Sequence, residues 1–148
     1  MALGSFTRAW NPKTGALRFD VIQELRDKYP LELGELTWDN ARQRPDLQIK
    51  GVILKSKENY KRFDYTKEPL AFGDAAYNGG ISGVEREMRA CKLGRNCDPL
   101  TWFNNVEKFC LKSKAAHTGG RSACEINRHH VRDVFKKSES YRAYLPLK

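Results

Sequence analysis

The sequence lacks any apolar run of the roughly 18 to 20 residues that a membrane-spanning helix needs. Its first residues, Met1 to Arg8, also lack the apolar stretch of a signal peptide. There is no internal repeat, no low-complexity tract and no linker rich in Gly, Pro or Ser. A chain of 148 residues can bury one core but is short for two ordinary domains. We therefore expect a single domain over residues 1–148, without a membrane span.

The sequence also lacks a Cys-x-x-Cys pair and a phosphate-binding glycine loop, and we predict neither a metal nor a cofactor. Gly119 and Gly120 before Arg121 are more simply a turn. His129 and His130 are adjacent on a predicted helix, so their side chains point in different directions and cannot easily chelate one metal ion. We expect these histidines to have a structural role at or near the surface.

Cysteine is absent from the N-terminal half, and all four cysteines lie in the C-terminal half. An even, clustered set of this kind favours two disulfides formed in an oxidising compartment. Proximity along the chain favours the pairs Cys91–Cys97 and Cys110–Cys124. The alternatives are free thiols, or a zinc site that combines cysteines with His117, His129 or His130, although the spacings match no common zinc module.

Acidic residues are outnumbered, and the formal net charge is +9. Residues 1–74 hold 13 Lys and Arg against 11 Asp and Glu, whereas residues 75–148 hold 14 against 7. A basic surface of this kind favours a polyanionic partner: nucleic acid, anionic lipid, or a bacterial wall with its peptide carboxylates and phosphates. Charge alone does not choose among them, and a solubilising surface without a partner is the plain alternative.

Strand-like alternation is not sustained anywhere, and helical spacing of apolar residues dominates. The chain is therefore predicted to be mainly α. Proline stops, helix-capping residues and apolar spacing predict helices at residues 19–29, 46–63, 69–78, around 84–91, at 98–110, and from a capping box at Ser122 to Phe135. In the helix at 46–63, the apolar face is expected to contain Ile49, Val52, Ile53 and Tyr60.

Three tryptophans, at positions 10, 38 and 102, could stack on sugar rings or on nucleobases. Most of the aromatic residues are nevertheless expected to lie in the core. Trp102 and Phe103 are neighbours, so one can pack inward while the other approaches a groove.

The most distinctive segment runs from Asp74 to Gly80, Asp-Ala-Ala-Tyr-Asn-Gly-Gly, and Val84 follows it. It resembles the Ala-Tyr-Asn-x-Gly signature of lytic transglycosylases, in which Tyr and Asn line the sugar groove near the catalytic carboxylate. The matching residues here are Tyr77 and Asn78. A Tyr hydroxyl can hold a carboxyl group, and an Asn amide offers both a donor and an acceptor to an N-acetyl sugar. The plain alternative is an ordinary helix C-cap.

A wider similarity extends over nearly the whole chain: Phe6 to Trp10, Trp38 to Asn40, Arg44 to Gln48 and Trp102-Phe103 resemble phage endolysin-type members of that family. The resemblance implies a lysozyme-like fold of the mainly α class, peptidoglycan as substrate, and a working place in the phage virion or in the host periplasm and cell wall. Other virion proteins are further partners that it implies.

The family's catalytic acid is a Glu in a Glu-Ser dipeptide that precedes a Gly-Gln-Phe-like segment, and this chain begins after that point. Ser5 also stands where the family has Gln. The acid protonates the leaving oxygen and then, as a carboxylate, deprotonates the sugar's own hydroxyl to close an anhydro ring. Glu24, Glu32 and Glu35 are weak substitutes, each with a plain interpretation as a solvated charge. The catalytic residue is therefore left unassigned.

Glu85 and Glu87 follow the signature in a charged helix, where we expect them to form surface ion pairs with Arg89 and its neighbours. Three function classes stay open. The first is a peptidoglycan lytic transglycosylase, and the second is a non-catalytic lysozyme-like protein of a virion or wall-attachment apparatus. The third is a nucleic-acid binder, which the charge permits but for which the sequence has no recognition motif.

Overall fold

A computed structural model describes residues 8–112, 115 and 120–142 of the chain. The described part is mainly helical, with a small antiparallel sheet, which confirms the predicted class. Its elements are β1 (Arg8–Trp10), β2 (Leu17–Asp20), α1 (Val21–Lys28), α2 (Pro30–Leu33), α3 (Pro45–Arg62), α4 (Pro69–Gly79), α5 (Ile81–Leu93), a 3₁₀ turn (Val106–Lys108) and α6 (Ala123–Tyr141). The chain divides into two compact units, residues 1–57 and residues 58–148. The expectation of one domain remains a prediction.

The described part of the first unit starts with the hairpin of β1 and β2, in which Arg8 lies opposite Asp20. The predicted helix at residues 19–29 was therefore wrong at its start, because Phe19 belongs to β2 and α1 begins only after Asp20. The Asp20 side chain caps α1 through the amide of Gln23. It also accepts a hydrogen bond from Trp38 Nε1 at 2.7 Å, which ties the hairpin to a later loop.

Trp10 is 48% exposed and is therefore one of the aromatic residues that do not lie in a core. The guanidinium carbon of Arg8 lies 4.9 Å from the Trp10 ring and 4.8 Å from the Trp38 ring. Both rings thus contact a cation, and Trp38 also packs against the apolar core of this unit. The buried residues of that core are aliphatic: Ile22, Leu25, Leu33, Leu36, Ala41 and Leu47.

The helix predicted at residues 46–63 corresponds to α3, but its buried face was predicted wrongly. Ile49, Ile53 and Tyr60 are each more than 40% exposed. The buried positions are Leu47, Gln48, Gly51 and Asn59. Gln48 and Asn59 can be buried because their side-chain amides are hydrogen-bonded. Gln48 donates to the carbonyl of Ala41, and Asn59 donates to the carbonyl of Gly73. A pattern of apolar residues cannot reveal a face that is completed by a glycine and two hydrogen-bonded amides.

The core of the second unit is built mainly on α4, α5 and α6. Phe63 and Phe72 stack with ring centroids 5.7 Å apart, and Phe72 meets Trp102 edge to face at 5.5 Å. Val84, Met88 and Cys91 are buried along one face of α5, as their spacing predicted. Ser122 and Glu125 form the predicted capping box at the start of α6.

The helix predicted at residues 98–110 was wrong. Turns and the short 3₁₀ segment take its place, and Asn104 adopts a positive φ of 60°, which an α-helix does not allow. The Asp98 side chain does accept hydrogen bonds, from Leu100 N and the Thr101 hydroxyl, but they close a turn rather than start a helix. Trp102 is fully buried, whereas Phe103 is half-buried.

Two disulfides, Cys91–Cys97 and Cys110–Cys124, join the cysteines in the pairs that proximity favoured. No thiol remains free for a zinc site. The expectations for Ser5, His117 and Gly119 fall on positions outside the described residues. In the described ranges, no helix combines the length and the apolar character that crossing a membrane requires.

Candidate functional site

The end of α4 carries the Tyr-Asn-Gly-Gly segment and forms the candidate site. Pro69 occupies the first turn of α4, where a missing amide costs nothing, and Gly80 ends the helix with φ +79°. That backbone conformation is strained for residues with a side chain, so glycine is required there. The amide of Gly80 donates to Ala76 O at 2.7 Å and closes the helix. Tyr77 and Asn78 therefore lie in a fixed last turn.

Tyr77 is half-buried and Asn78 is exposed. Neither the Tyr77 hydroxyl nor the Asn78 amide is hydrogen-bonded to another residue within the described ranges. The described residues thus leave both polar groups without a hydrogen-bond partner. The role in a sugar groove that the resemblance implies for Tyr77 and Asn78 remains a prediction.

The underside of α4 is fixed by α6. Ala75 and Ala76 are buried, and the small side chain of Ala75 leaves its carbonyl within reach of Asn127. Asn127 is itself 2% exposed and donates Nδ2 to Ala75 O at 3.0 Å. The small residues at the centre of α4 thus allow α6 to approach it closely. The hydrogen bond holds the last turn of α4 from the side opposite to solvent.

Lys112 lies at the glycine end of the candidate site, and sequence reasoning missed it. Its Nζ donates to Gly79 O at 2.8 Å. A Cβ on Gly79 would lie 2.6 Å from that same Nζ, so glycine at this position is what gives the ammonium its place. Burial is the main cause that lowers the pKa of Lys112. A half-buried cation therefore stands directly beneath the segment with Tyr77 and Asn78.

His130 and Asp74 form a second contact between α6 and α4, with Nε2 3.2 Å from Oδ1. The hydrogen bond that His130 donates to Asp74 raises the pKa of His130. The other carboxyl oxygen of Asp74 is buried without a hydrogen-bond partner in the described part of the chain. His129 instead pairs with Asp133 at 2.9 Å on the more exposed side of α6. Each of the two histidines thus has a specific carboxylate partner, which is consistent with the structural role expected for them.

Glu87 does not lie on the surface, contrary to our prediction, but is 1% exposed. Its Oε2 pairs with Arg128 at 2.8 Å, and its Oε1 accepts from the amide of Leu111. Arg128 also donates to Glu107 O, and its guanidinium carbon lies 4.8 Å from the ring of Trp102. This buried ion pair joins α5 and α6 beneath the site. Local spacing could not show it, because Arg128 lies 41 positions from Glu87.

Glu85 is half-buried and pairs with Arg62 at 2.6 Å, not with Arg89 or a neighbour in its own helix as expected. The remaining glutamates of the second unit also have interaction partners, with the exception of the exposed Glu139, for which the described residues provide none. These engaged glutamates are Glu58, Glu68, Glu107 and Glu125. A carboxyl group without a partner in an apolar cleft, the expected environment of a catalytic acid, is thus not found among the described glutamates of this unit.

The weak candidates for the acid, Glu24, Glu32 and Glu35, all belong to the first unit and are all exposed. Glu35 pairs with Arg44 at 2.9 Å. None of the three lies in an apolar cleft.

Comparisons of the chain with models of known protein families, with curated proteins and with solved structures found no match. The site is therefore interpreted from its own geometry. Across residues 8–112, 115 and 120–142, no three His, Cys, Asp or Glu side chains converge in a way that could hold a metal ion. What the candidate site offers is a phenol, a primary amide and a half-buried ammonium group around two glycines.

Proposed function

We propose that this chain is a lysozyme-like domain of a phage-encoded peptidoglycan lytic transglycosylase, which cleaves the glycan strand. One observation carries the proposal. Tyr77 and Asn78 present polar groups that no described residue hydrogen-bonds, at the glycine end of α4, and Lys112 and Asn127 fix that end from below. A ligand rich in hydroxyl and acetamido groups matches this mixture of donors and acceptors.

In the proposed reaction a carboxylic acid protonates the glycosidic oxygen, which leaves, and the resulting carboxylate then takes the proton of the sugar's own hydroxyl as that oxygen closes an anhydro ring. Tyr77 and Asn78 are binding residues in this scheme, and Tyr77 is also suited to orient the acid. The acid itself stays unassigned, because the glutamates of the second unit are engaged elsewhere apart from Glu139.

Two features of the whole chain support a bacterial wall as the partner. A net charge of +9 favours a polyanionic surface such as wall peptides and wall phosphates. Two disulfides favour work in an oxidising place, which for this function means the virion or the host periplasm and cell wall.

A second candidate function is a non-catalytic lysozyme-like protein that binds the wall or serves in the virion. The observation that favours it is that the glutamates of the second unit other than Glu139 already have interaction partners. Glu68, for example, accepts hydrogen bonds from the backbone amides of Trp102 and Phe103, so its carboxylate has a structural role. This function keeps the same binding residues and removes the cleavage step.

The two functions are separated by incubating the purified chain with purified sacculi and measuring both soluble fragments and the fraction of protein that pellets. The variants Tyr77→Phe and Asn78→Ala test the binding residues. Tyr141→Phe is the matched control, because Tyr141 is 65% exposed at the end of α6 and outside the candidate site.

Release of fragments that falls in both site variants but not in the control supports the transglycosylase. Pelleting without release, again weakened only in the site variants, supports the non-catalytic alternative. Neither release nor pelleting by the wild-type protein would contradict both proposals.

A further inference from the structure

A cavity of about 440 Å³ in the second unit has a lining that the candidate site does not use. Three cationic side chains, Arg62, Arg89 and Lys92, contribute to it. The apolar part of the lining comes from Tyr65, Met88, Pro99 and Leu100. A cavity with both cationic and apolar walls differs from an ordinary solvated basic surface.

The cavity walls are fixed by covalent and polar links. The disulfide Cys91–Cys97 joins α5, which carries Arg89 and Lys92, to the segment that carries Leu100. The amide of Lys67 donates to Leu100 O at 2.9 Å, which links this segment to the turn that carries Tyr65.

A second link between the same two segments is the ion pair of Lys67 with Asp98 at 2.8 Å. Hydrogen bonds from Lys67 and Thr101 hold the pKa of Asp98 at about 2, so this link persists at neutral pH. The cavity is therefore preformed and does not need a ligand to assemble it.

The cavity has an uncompensated positive charge. Glu85 lines it as well, but this carboxylate is already paired with Arg62. Arg89 and Lys92 have no ion-pair partner among the residues that the structure describes. Two cations thus remain available to a ligand, and a carboxylate is the group that both can bind through charge-assisted hydrogen bonds.

The exposed apolar walls narrow the ligand class further. Tyr65 is 58% exposed and Leu100 is 36% exposed, so a bound molecule can cover apolar surface that now faces water. An inorganic anion would use the cations alone. A short peptide with carboxylates and small aliphatic side chains would use both parts of the lining.

We propose that this cavity binds a short acidic peptide, specifically the stem peptide of peptidoglycan, with Arg89 and Lys92 on its carboxylates and Tyr65 and Leu100 against its alanine side chains. The choice of the stem peptide rests on the proposed function. The preference for an acidic peptide rests on the cavity alone.

The test is calorimetric titration of the full chain with the sugar-free tetrapeptide L-Ala-γ-D-Glu-meso-diaminopimelate-D-Ala. Binding should weaken about tenfold or more in Arg89→Gln/Lys92→Gln, because two charge-assisted contacts are lost. Lys61→Gln/Arg95→Gln removes the same charge from exposed positions outside the lining and should bind like the wild type.

Tyr65→Ala should also weaken binding, and inorganic phosphate should compete poorly. No measurable binding by the wild type, equal loss in the control, or equally strong competition by phosphate would overturn the inference. Tetrapeptide binding without fragment release from sacculi would leave the inference standing and contradict the transglycosylase. Fragment release without tetrapeptide binding would overturn the inference about the cavity and leave the transglycosylase proposal standing.

Discussion

Lys112 donates a hydrogen bond from its Nζ to the carbonyl oxygen of Gly79, at 2.8 Å, directly after the Tyr77-Asn78 pair. The carbonyls at the end of a helix have no partner within the helix and carry a partial negative charge, so a cation there is stabilising. The same contact holds the backbone on which the two candidate binding residues stand. It connects a residue near the Cys110–Cys124 bridge to the site.

The first prediction is that Lys112→Met weakens pelleting with sacculi several-fold. Methionine keeps the apolar stem but leaves Gly79 O without its donor. The free energy of unfolding should change by only about 1 kcal/mol, because the lost hydrogen bond is offset by the removed cost of burying an ammonium. Lys108→Met at an exposed position is the control. Unchanged pelleting of the Lys112 variant would show that Lys112 does not contribute to wall binding at the candidate site.

The second prediction concerns the buried ion pair of Glu87 and Arg128. Glu87→Gln keeps the side-chain shape but leaves the guanidinium, whose side chain is 14% exposed, without its counter-charge. We expect a loss of about 3 to 5 kcal/mol in the free energy of unfolding, measured by urea denaturation. Glu85→Gln, which breaks a more exposed pair, should cost less than about 1 kcal/mol. Equal costs in the two variants would contradict the structural importance of the buried pair.

The third prediction is a pH dependence that comes from His130. Its hydrogen bond to Asp74 raises its pKa above the ordinary value of 6.5, so the folded state holds the proton more tightly than the unfolded state. The stabilisation is fully present below pH 6.5 and is lost as the pH rises through the raised value.

The free energy of unfolding of the wild type relative to His130→Gln should therefore be larger at about pH 5.5 than at about pH 8.5. The matched control is His129→Gln, on the more exposed side of the same helix. A difference that grows with pH, or one that is larger for His129, would contradict the role of the Asp74 contact.

The fourth prediction concerns the Cys110–Cys124 bridge, which closes a loop with a sequence separation of 14. Replacing both cysteines by alanine should lower the free energy of unfolding by about 3 kcal/mol, since the unfolded chain regains the entropy that the loop had removed. Alkylation of the denatured wild type without reductant should leave its mass unchanged, because both bridges occupy all four thiols. Four alkylated cysteines would contradict the pairing, and unchanged stability of the variant would contradict the size of its effect.

Local signals predicted the parts of the fold that depend on neighbouring residues. Pro69 marks the start of α4 and Gly80 its end, and the capping box of Ser122 marks the start of α6. Each of these features acts within one turn of the chain and can therefore be recognised from neighbouring residues. The two disulfides also follow the nearest pairing along the sequence. The positions of Tyr77 and Asn78 at a helix end therefore follow from the amino-acid sequence alone.

Features that depend on distant partners could not be predicted in this way. The sequence around Glu87 predicts a surface charge, because its partner Arg128 lies on a distant helix, α6. The sequence around Lys112 likewise gives no sign that its side chain donates to the carbonyl of Gly79. The segment at 98–110 has helical spacing, yet a positive φ at Asn104 and the buried ring of Trp102 give it an irregular path. Tertiary contacts override local preference in these places.

The central claim is tested most directly by mass spectrometry of the soluble fragments that the wild-type chain releases from purified sacculi. A lytic transglycosylase leaves anhydro ends, whose masses are lower by one water than those of hydrolysed ends, and their yield should fall in Tyr77→Phe and Asn78→Ala. Fragments with only hydrolysed ends, or no fragments at all from a folded and disulfide-bonded protein, would contradict the claim.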